Sequence, residues 1–248
     1  MSGGLLRQAT LREVARAGLP DAVLKPLAVV LERGLFSGSL ADFLYLAGRD
    51  VGFEHEETVA RCVPILLLYC AGNLTDDIVD GEDSYVEDQR LSAALECVLL
   101  SHAFGLLARG PVSREDIAAA MRNIAVATGH LATELCTTRW SAARYMDVGH
   151  AIAGLQFQAL LRLLWGARHP NTDPIGNAVG VVIHVAEDIR SEDPRFTSMA
   201  GQDRARVLAW ARVAAERLRA QGLRSLDAVV AQCDGMFTEV VPTPVDPG

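Results

Sequence analysis

The feature that most limits how this chain can fold is the spacing of its apolar residues. They recur every three or four positions in Leu19–Leu31, Leu40–Leu46, Val59–Ile78, Leu91–Leu107, Ile117–Leu135, Ala151–Leu164 and Ile175–Ile189, which lines one face of a helix. No alternating run of β-branched residues lasts long enough for a strand. The interruptions are helix stops: Gly34, Gly52, Gly110-Pro111 and the stretch from His169 to Pro174. Ser113, followed by Glu115 and Asp116, reads as a helix start with acids suited to the dipole. Two closing helices are expected over Gln202–Arg219 and Leu223–Phe237, giving eight to ten in all. Half of the 248 residues are apolar, ample for one core. The expectation is an all-α bundle, a single domain over residues 1–240, with a proline-rich disordered tail at 241–248.

Composition removes several classes of function. There are 23 basic and 31 acidic residues, a net charge of −8, which argues against a nucleic-acid partner. No uninterrupted apolar run approaches the ~18 residues of a membrane helix, so no membrane span is expected. The first residues, MSGGLLRQATLREVARAG, carry charges where a secretory signal needs an apolar stretch. Five cysteines (Cys62, Cys70, Cys97, Cys136, Cys233) show no metal-like spacing and read as buried thiols in a reducing cytoplasm. Of the 23 basic residues only Lys25 is lysine, a bias that genome composition explains.

The position of the acids is more informative than their number. From Glu54 to Asp88 there are ten acids and one base, Arg61. Glu82 to Asp88 reads as a solvated loop, whereas Asp76, Asp77 and Asp80 close a long apolar helix. Residues i and i+4 share a helix face, so Asp76 and Asp80 point together and Asp77 is rotated by about 100°. Like charges at that spacing repel, and the helix dipole disfavours them further. A divalent cation would relieve both, and hard oxygen donors suit Mg²⁺. The alternative is a hydrated, frayed helix end.

A second apolar helix, from Ile175, also ends in acids: Glu187, Asp188, Glu192 and Asp193, with Arg190 and Ser191 among them. Glu187 and Ser191 again form an i, i+4 oxygen pair. Two such helix ends facing each other across a bundle could hold a metal cluster, since bundle cores commonly house such sites.

The stretch Ala71-Gly-Asn-Leu-Thr-Asp-Asp-Ile-Val-Asp80 resembles the first aspartate-rich motif of the class I isoprenoid synthases, the trans-isoprenyl diphosphate synthases and terpene synthases. Gly129–Glu134, Tyr145-Met-Asp147, Leu164–Ala167 and Val185–Ser191 follow in that superfamily's order, and the likeness runs from about Gly38 to Phe196. The resemblance implies an all-α bundle around a deep apolar pocket, with Mg²⁺, three ions, on the diphosphate of an allylic substrate. It implies metal ligation by Asp76, Asp80, Glu187 and Ser191, with catalysis by Asp76, Asp77, Asp80 and Arg144. Arg144, Arg190, Phe157 and Asn73 would meet the substrate. Aromatic faces at Phe157, Trp140, Trp165, Tyr69 or Phe104 could attract a carbocation, though core packing is the commoner role. A homodimer is implied as well.

Departures from the superfamily's pattern narrow the activity. Phe36–Leu44 lacks the basic residues that bind isopentenyl diphosphate in elongating members, and the first base after Asp80 is Arg90. No lysine lies near Gly154-Leu155. A second diphosphate needs cations to neutralise it. Glu187-Asp188-x-x-Ser191 is intermediate between the transferase and cyclase forms of the second motif, and the cyclases' final acid falls at Arg195. Arg144, Asp147 and Gly149 resemble the cyclases' pyrophosphate-sensing arginine with its Asp and Gly at a helix break. Small residues at Ala71 and Gly72 suggest a farnesyl or geranylgeranyl substrate. The leading expectation is a cytoplasmic, Mg²⁺-dependent terpene synthase. The alternatives are a prenyltransferase condensing isopentenyl diphosphate, or a non-catalytic partner subunit of one.

Overall fold

The computed structural model describes residues 2–35, 39–81 and 86–238. Residues 241–248, the expected tail, lie outside them, as do parts of the Phe36–Leu44 and Glu82–Asp88 segments. Among the described residues there are twelve α-helices and no strand. They are α1 (Ser2–Ala15), α2 (Asp21–Leu35), α3 (Ser39–Asp50), α4 (His55–Asp80), α5 (Gln89–Arg109), α6 (Arg114–Leu135), α7 (Ala142–Gly149), α8 (Leu155–Trp165), α9 (Thr172–Arg190), α10 (Pro194–Thr197), α11 (Gly201–Arg219) and α12 (Arg224–Thr238). A π-helical turn, His150–Gly154, joins α7 to α8.

Every helix expected from periodicity is present, and the added ones are α1, α7 and α10. In α1 the buried positions Leu6, Ala9 and Val14 are interleaved with Thr10, itself fully buried, which hides the pattern. The Thr10 hydroxyl donates to the Leu6 carbonyl at 2.9 Å, so its burial leaves no polar group unmet. Ser113 starts α6 as expected: its Oγ accepts from the Asp116 N–H at 3.0 Å, an N-cap, and donates to the Asp116 carboxylate at 2.6 Å.

The chain divides into two compact units. The first comprises residues 1–117 and 163–166. Its central helix, α4, buries Ile65, Leu66, Leu67 and Leu74 completely, each contributing about 1.5–3 kcal/mol relative to exposure. Against it, α5 turns the stripe Ser92, Leu95, Leu99, Ala103 and Leu107 inward, a strict i, i+4 row after Leu95. The Thr75 hydroxyl ties the pair together by donating to Glu96 at 2.9 Å. Trp165, fully buried, donates its indole N–H to the Ala47 carbonyl at 2.8 Å.

By length and composition α4 and α5 could each cross a membrane, although neither has an uninterrupted apolar run. Of the most apolar stretch of α4, 61% is buried within the protein, as in a core helix, against 28% for α5.

The second unit comprises residues 118–162 and 167–248. Here α9 is the central helix, buried along Ile175, Val179, Val182, Val185 and Ala186. Glycine makes its close approach possible. A Cβ on Gly180 would lie 2.3 Å from the Ala153 carbonyl oxygen, and one on Gly176 2.5 Å from the Gln158 Cα. Both obstacles are backbone, so α9 sits against the π-helical turn and α8 only because these positions carry no side chain.

All five cysteines are free. Cys62, Cys70 and Cys233 are buried as expected, but Cys97 and Cys136 are exposed. Cys97 falls on an outward position of α5, and Cys136 lies in the turn that follows α6.

Candidate functional site

The acidic end of α4 belongs to the first unit. Glu56 and Glu57 sit favourably at its N-terminus, and no basic residue occupies its last turn. The dipole therefore works against the closing aspartates. Gly81, at φ 70°, stops the helix in the left-handed region and donates its N–H to the Asp77 carbonyl, a glycine cap. Asp76 is exposed and Asp77 buried, so the rotation of about 100° between neighbours carries one carboxylate outward and the other inward. The Asp80 side chain lies outside the described residues. Asn73 is half-buried on the same helix.

The acidic end of α9 belongs to the second unit and is built differently. Asp188 is buried, and its Oδ2 accepts from the Tyr145 hydroxyl at 2.7 Å. Its Oδ1 accepts from Arg195 Nη2 at 3.3 Å. Arg195 also holds Asp193, with Nε to Oδ1 and Nη2 to Oδ2 both at 2.8 Å, and pairs through Nη1 with Glu134. Burial raises the Asp188 carboxyl to about 7, the Tyr145 bond pulling the other way and Asp193 adding to the rise. Burial and the neighbouring Asp188 raise the Tyr145 phenol, keeping it a neutral donor. His184 stacks on the Tyr145 ring at 5.1 Å, and burial depresses its pKa, so it stands beside Asp188 as a neutral imidazole.

Glu187 and Ser191 do share a helix end, but the Ser191 hydroxyl donates to the Glu187 backbone carbonyl at 2.9 Å, not to its carboxylate. Both are exposed, and Arg190 beside them is exposed too. Crowding by protein raises the Glu187 carboxyl, with Arg190 opposing. Asp193, close by, is committed to Arg195.

Arg144 is exposed on α7 and donates to the Thr137 hydroxyl at 3.3 Å. Gly149 follows in the sequence, but the chain does not break there. It continues through the π-helical turn into α8, a distortion often found at functional sites. Gly149 is instead a packing position, since a Cβ would lie 2.8 Å from the His184 ring. Phe157 is buried in the second unit's core. A cavity of about 390 Å³ in the first unit is lined by residues such as Val14, Leu27, Leu99 and His102, and by none of the expected site residues. The network of Glu134, Tyr145 and Arg195 was not legible as a site, because its members come from α6, α7 and α10.

Among the described residues no three His, Cys, Asp or Glu side chains are grouped to hold a metal ion. The α4 end nevertheless suits Mg²⁺: Asp76 offers exposed hard oxygens where the negative pole of the helix adds to their field. The α9 end suits it less, because both oxygens of Asp188 and both of Asp193 already accept protein donors.

No family model matches the chain, and no curated protein matches it by sequence. Solved structures do. A geranyltranstransferase from Thermotoga maritima is 15% identical, with 96% of this chain and 97% of that one covered and a TM-score of 0.71. A geranyltransferase from Legionella pneumophila is 14% identical, with 95% and 94% covered and a TM-score of 0.70. A geranylgeranyl pyrophosphate synthase from Bacteroides thetaiotaomicron is 14% identical, with 89% and 78% covered and a TM-score of 0.54. Since the likeness runs through nearly all of the first two chains as well as this one, the protein has the all-α fold of the class I isoprenoid synthases.

Proposed function

We propose that the protein is a Mg²⁺-dependent enzyme that ionises an allylic prenyl diphosphate and releases pyrophosphate, and that it does so as a terpene synthase. The observation that supports this best is Asp76, exposed at the negative end of the apolar helix α4, in a chain with the isoprenoid synthase fold. Asp76 and Asp80 are the proposed metal ligands, with Asp77 supporting them from its buried position; Glu187 and Ser191 remain candidates on α9. When bound, Mg²⁺ would stabilise the charge that builds on the leaving pyrophosphate. Arg144 and Arg190, both exposed, are proposed to meet the diphosphate, with Asn73 beside the aspartates and Phe157 in the apolar wall. Water must be excluded while a carbocation exists, which the apolar helices serve. The small side chains at Ala71 and Gly72 favour farnesyl or geranylgeranyl over geranyl diphosphate.

The second reading is a prenyltransferase. The names of the structural neighbours, a geranyltransferase and a geranyltranstransferase, favour it, and the missing basic residues near Phe36–Leu44 and before Arg90 speak against it. Purified protein with Mg²⁺ and one allylic diphosphate, with and without isopentenyl diphosphate, separates them. A hydrocarbon or alcohol product from one substrate supports the synthase; turnover only with both supports the transferase. No pyrophosphate release under either condition favours a non-catalytic partner subunit. The proposal includes a cytoplasmic homodimer, refuted if light scattering gives the mass of one chain.

A further inference from the structure

The C-terminal end of α9 brings three carboxylates together, Glu134, Asp188 and Asp193, and places one guanidinium among them. A guanidinium is a planar fork of five N–H donors. In Arg195, Nη1 goes to Glu134, Nε to Asp193 Oδ1, and Nη2 to both Asp193 Oδ2 and Asp188 Oδ1. The remaining oxygen of Asp188 takes the Tyr145 hydroxyl, and the Arg195 backbone N–H adds a 2.7 Å bond to Asp193 Oδ1.

The backbone is bent to make this arrangement. Glu192 adopts φ 54°, a left-handed conformation that costs a non-glycine residue of order 1 kcal/mol. It turns the chain so that the Asp193 N–H reaches the Asp188 carbonyl at 2.9 Å, and Pro194 then starts α10. That turn carries Arg195 back over the end of α9. A Mg²⁺ ion needs its ligand oxygens at about 2.0–2.1 Å, and here that space is filled by N–H groups.

We propose that Arg195 is the resident counter-ion of the α9 acidic end, neutralising carboxylates that would draw in a divalent cation if it were removed, so that Asp188 and Asp193 ligate no metal while it is present. This goes beyond the functional proposal and stands on the second unit alone, whichever substrate α4 serves. Arg195 is in this sense a positioning residue.

Mn²⁺ titration of the full chain, followed by electron paramagnetic resonance with no prenyl diphosphate present, tests it. Asp188→Asn should leave the number of bound ions unchanged and their affinity within about twofold. Arg195→Gln should gain one further Mn²⁺ site, which the Asp188→Asn/Arg195→Gln double variant should lack; a merely structural role for Arg195 predicts no such gain. A tenfold weakening of Mn²⁺ binding by Asp188→Asn overturns the proposal, as does a folded Arg195→Gln protein with no added site. Should Arg195→Gln fail to fold, the Asp188→Asn comparison decides the matter alone.

Discussion

Adjacent residues in this chain have opposite fates, and the difference can be measured. Asp76 is exposed and Asp77 only 7% exposed. Asp76→Ala should therefore change stability by no more than about 0.5 kcal/mol while lowering pyrophosphate release by roughly a hundredfold or more. Asp77→Ala should lower the melting temperature, because it removes a buried group and the contacts it makes. Equal thermal losses in the two variants would show that the exposed carboxylate is structural. The cysteines divide similarly. Burial pushes the Cys70 thiol up to about 12 and raises Cys62 further. The charged thiolate is disfavoured, so both should resist alkylation in the native state even at pH 9, whereas the exposed Cys97 and Cys136 should react. Peptide mapping after iodoacetamide checks this, and native labelling of Cys62 or Cys70 would refute their burial.

At the level of elements, the sequence disclosed helix type and extent wherever one apolar face repeats, as in α4, α5 and α9. It disclosed least where the determinant is another element. Gly176 and Gly180 lie inside the expected apolar helix with nothing in the spacing to mark them, yet they are where α9 touches backbone. Arg195 read as a missing acid, because its partner Glu134 lies on α6, which no local spacing connects to it. Only Asp193 among its acidic partners is close in sequence. A paired test follows. Gly180→Ala should cost at least 1–3 kcal/mol, since the Ala153 backbone cannot move aside. Gly129→Ala, in the middle of α6 with no atom within 4 Å of the added methyl, should gain about 0.5–1 kcal/mol from backbone entropy and helix propensity. Urea unfolding of both variants measures the contrast, and a Gly180→Ala protein as stable as the wild type contradicts the contact.

For the whole molecule, the helical periodicity pointed to an all-α bundle and the resemblance of the aspartate-rich motif implied the isoprenoid synthase fold, which the solved structures bear out at identities near 15%. So low an identity with so complete a likeness means that the fold rests on the pattern of apolar faces more than on individual side chains. The proposed activity rests on the opposite, a few carboxylates and cations. The two acidic helix ends show this: Asp76 is exposed on α4, and on α9 the buried Asp188 is held by Arg195 and Tyr145. Ionisation of an allylic diphosphate at the α4 end is tested by pyrophosphate release from farnesyl and geranylgeranyl diphosphate with Mg²⁺ and no other substrate. Release should occur, and should stop with a chelator and in Asp76→Ala. No release from any allylic diphosphate of ten to twenty carbons, with or without isopentenyl diphosphate, would contradict it.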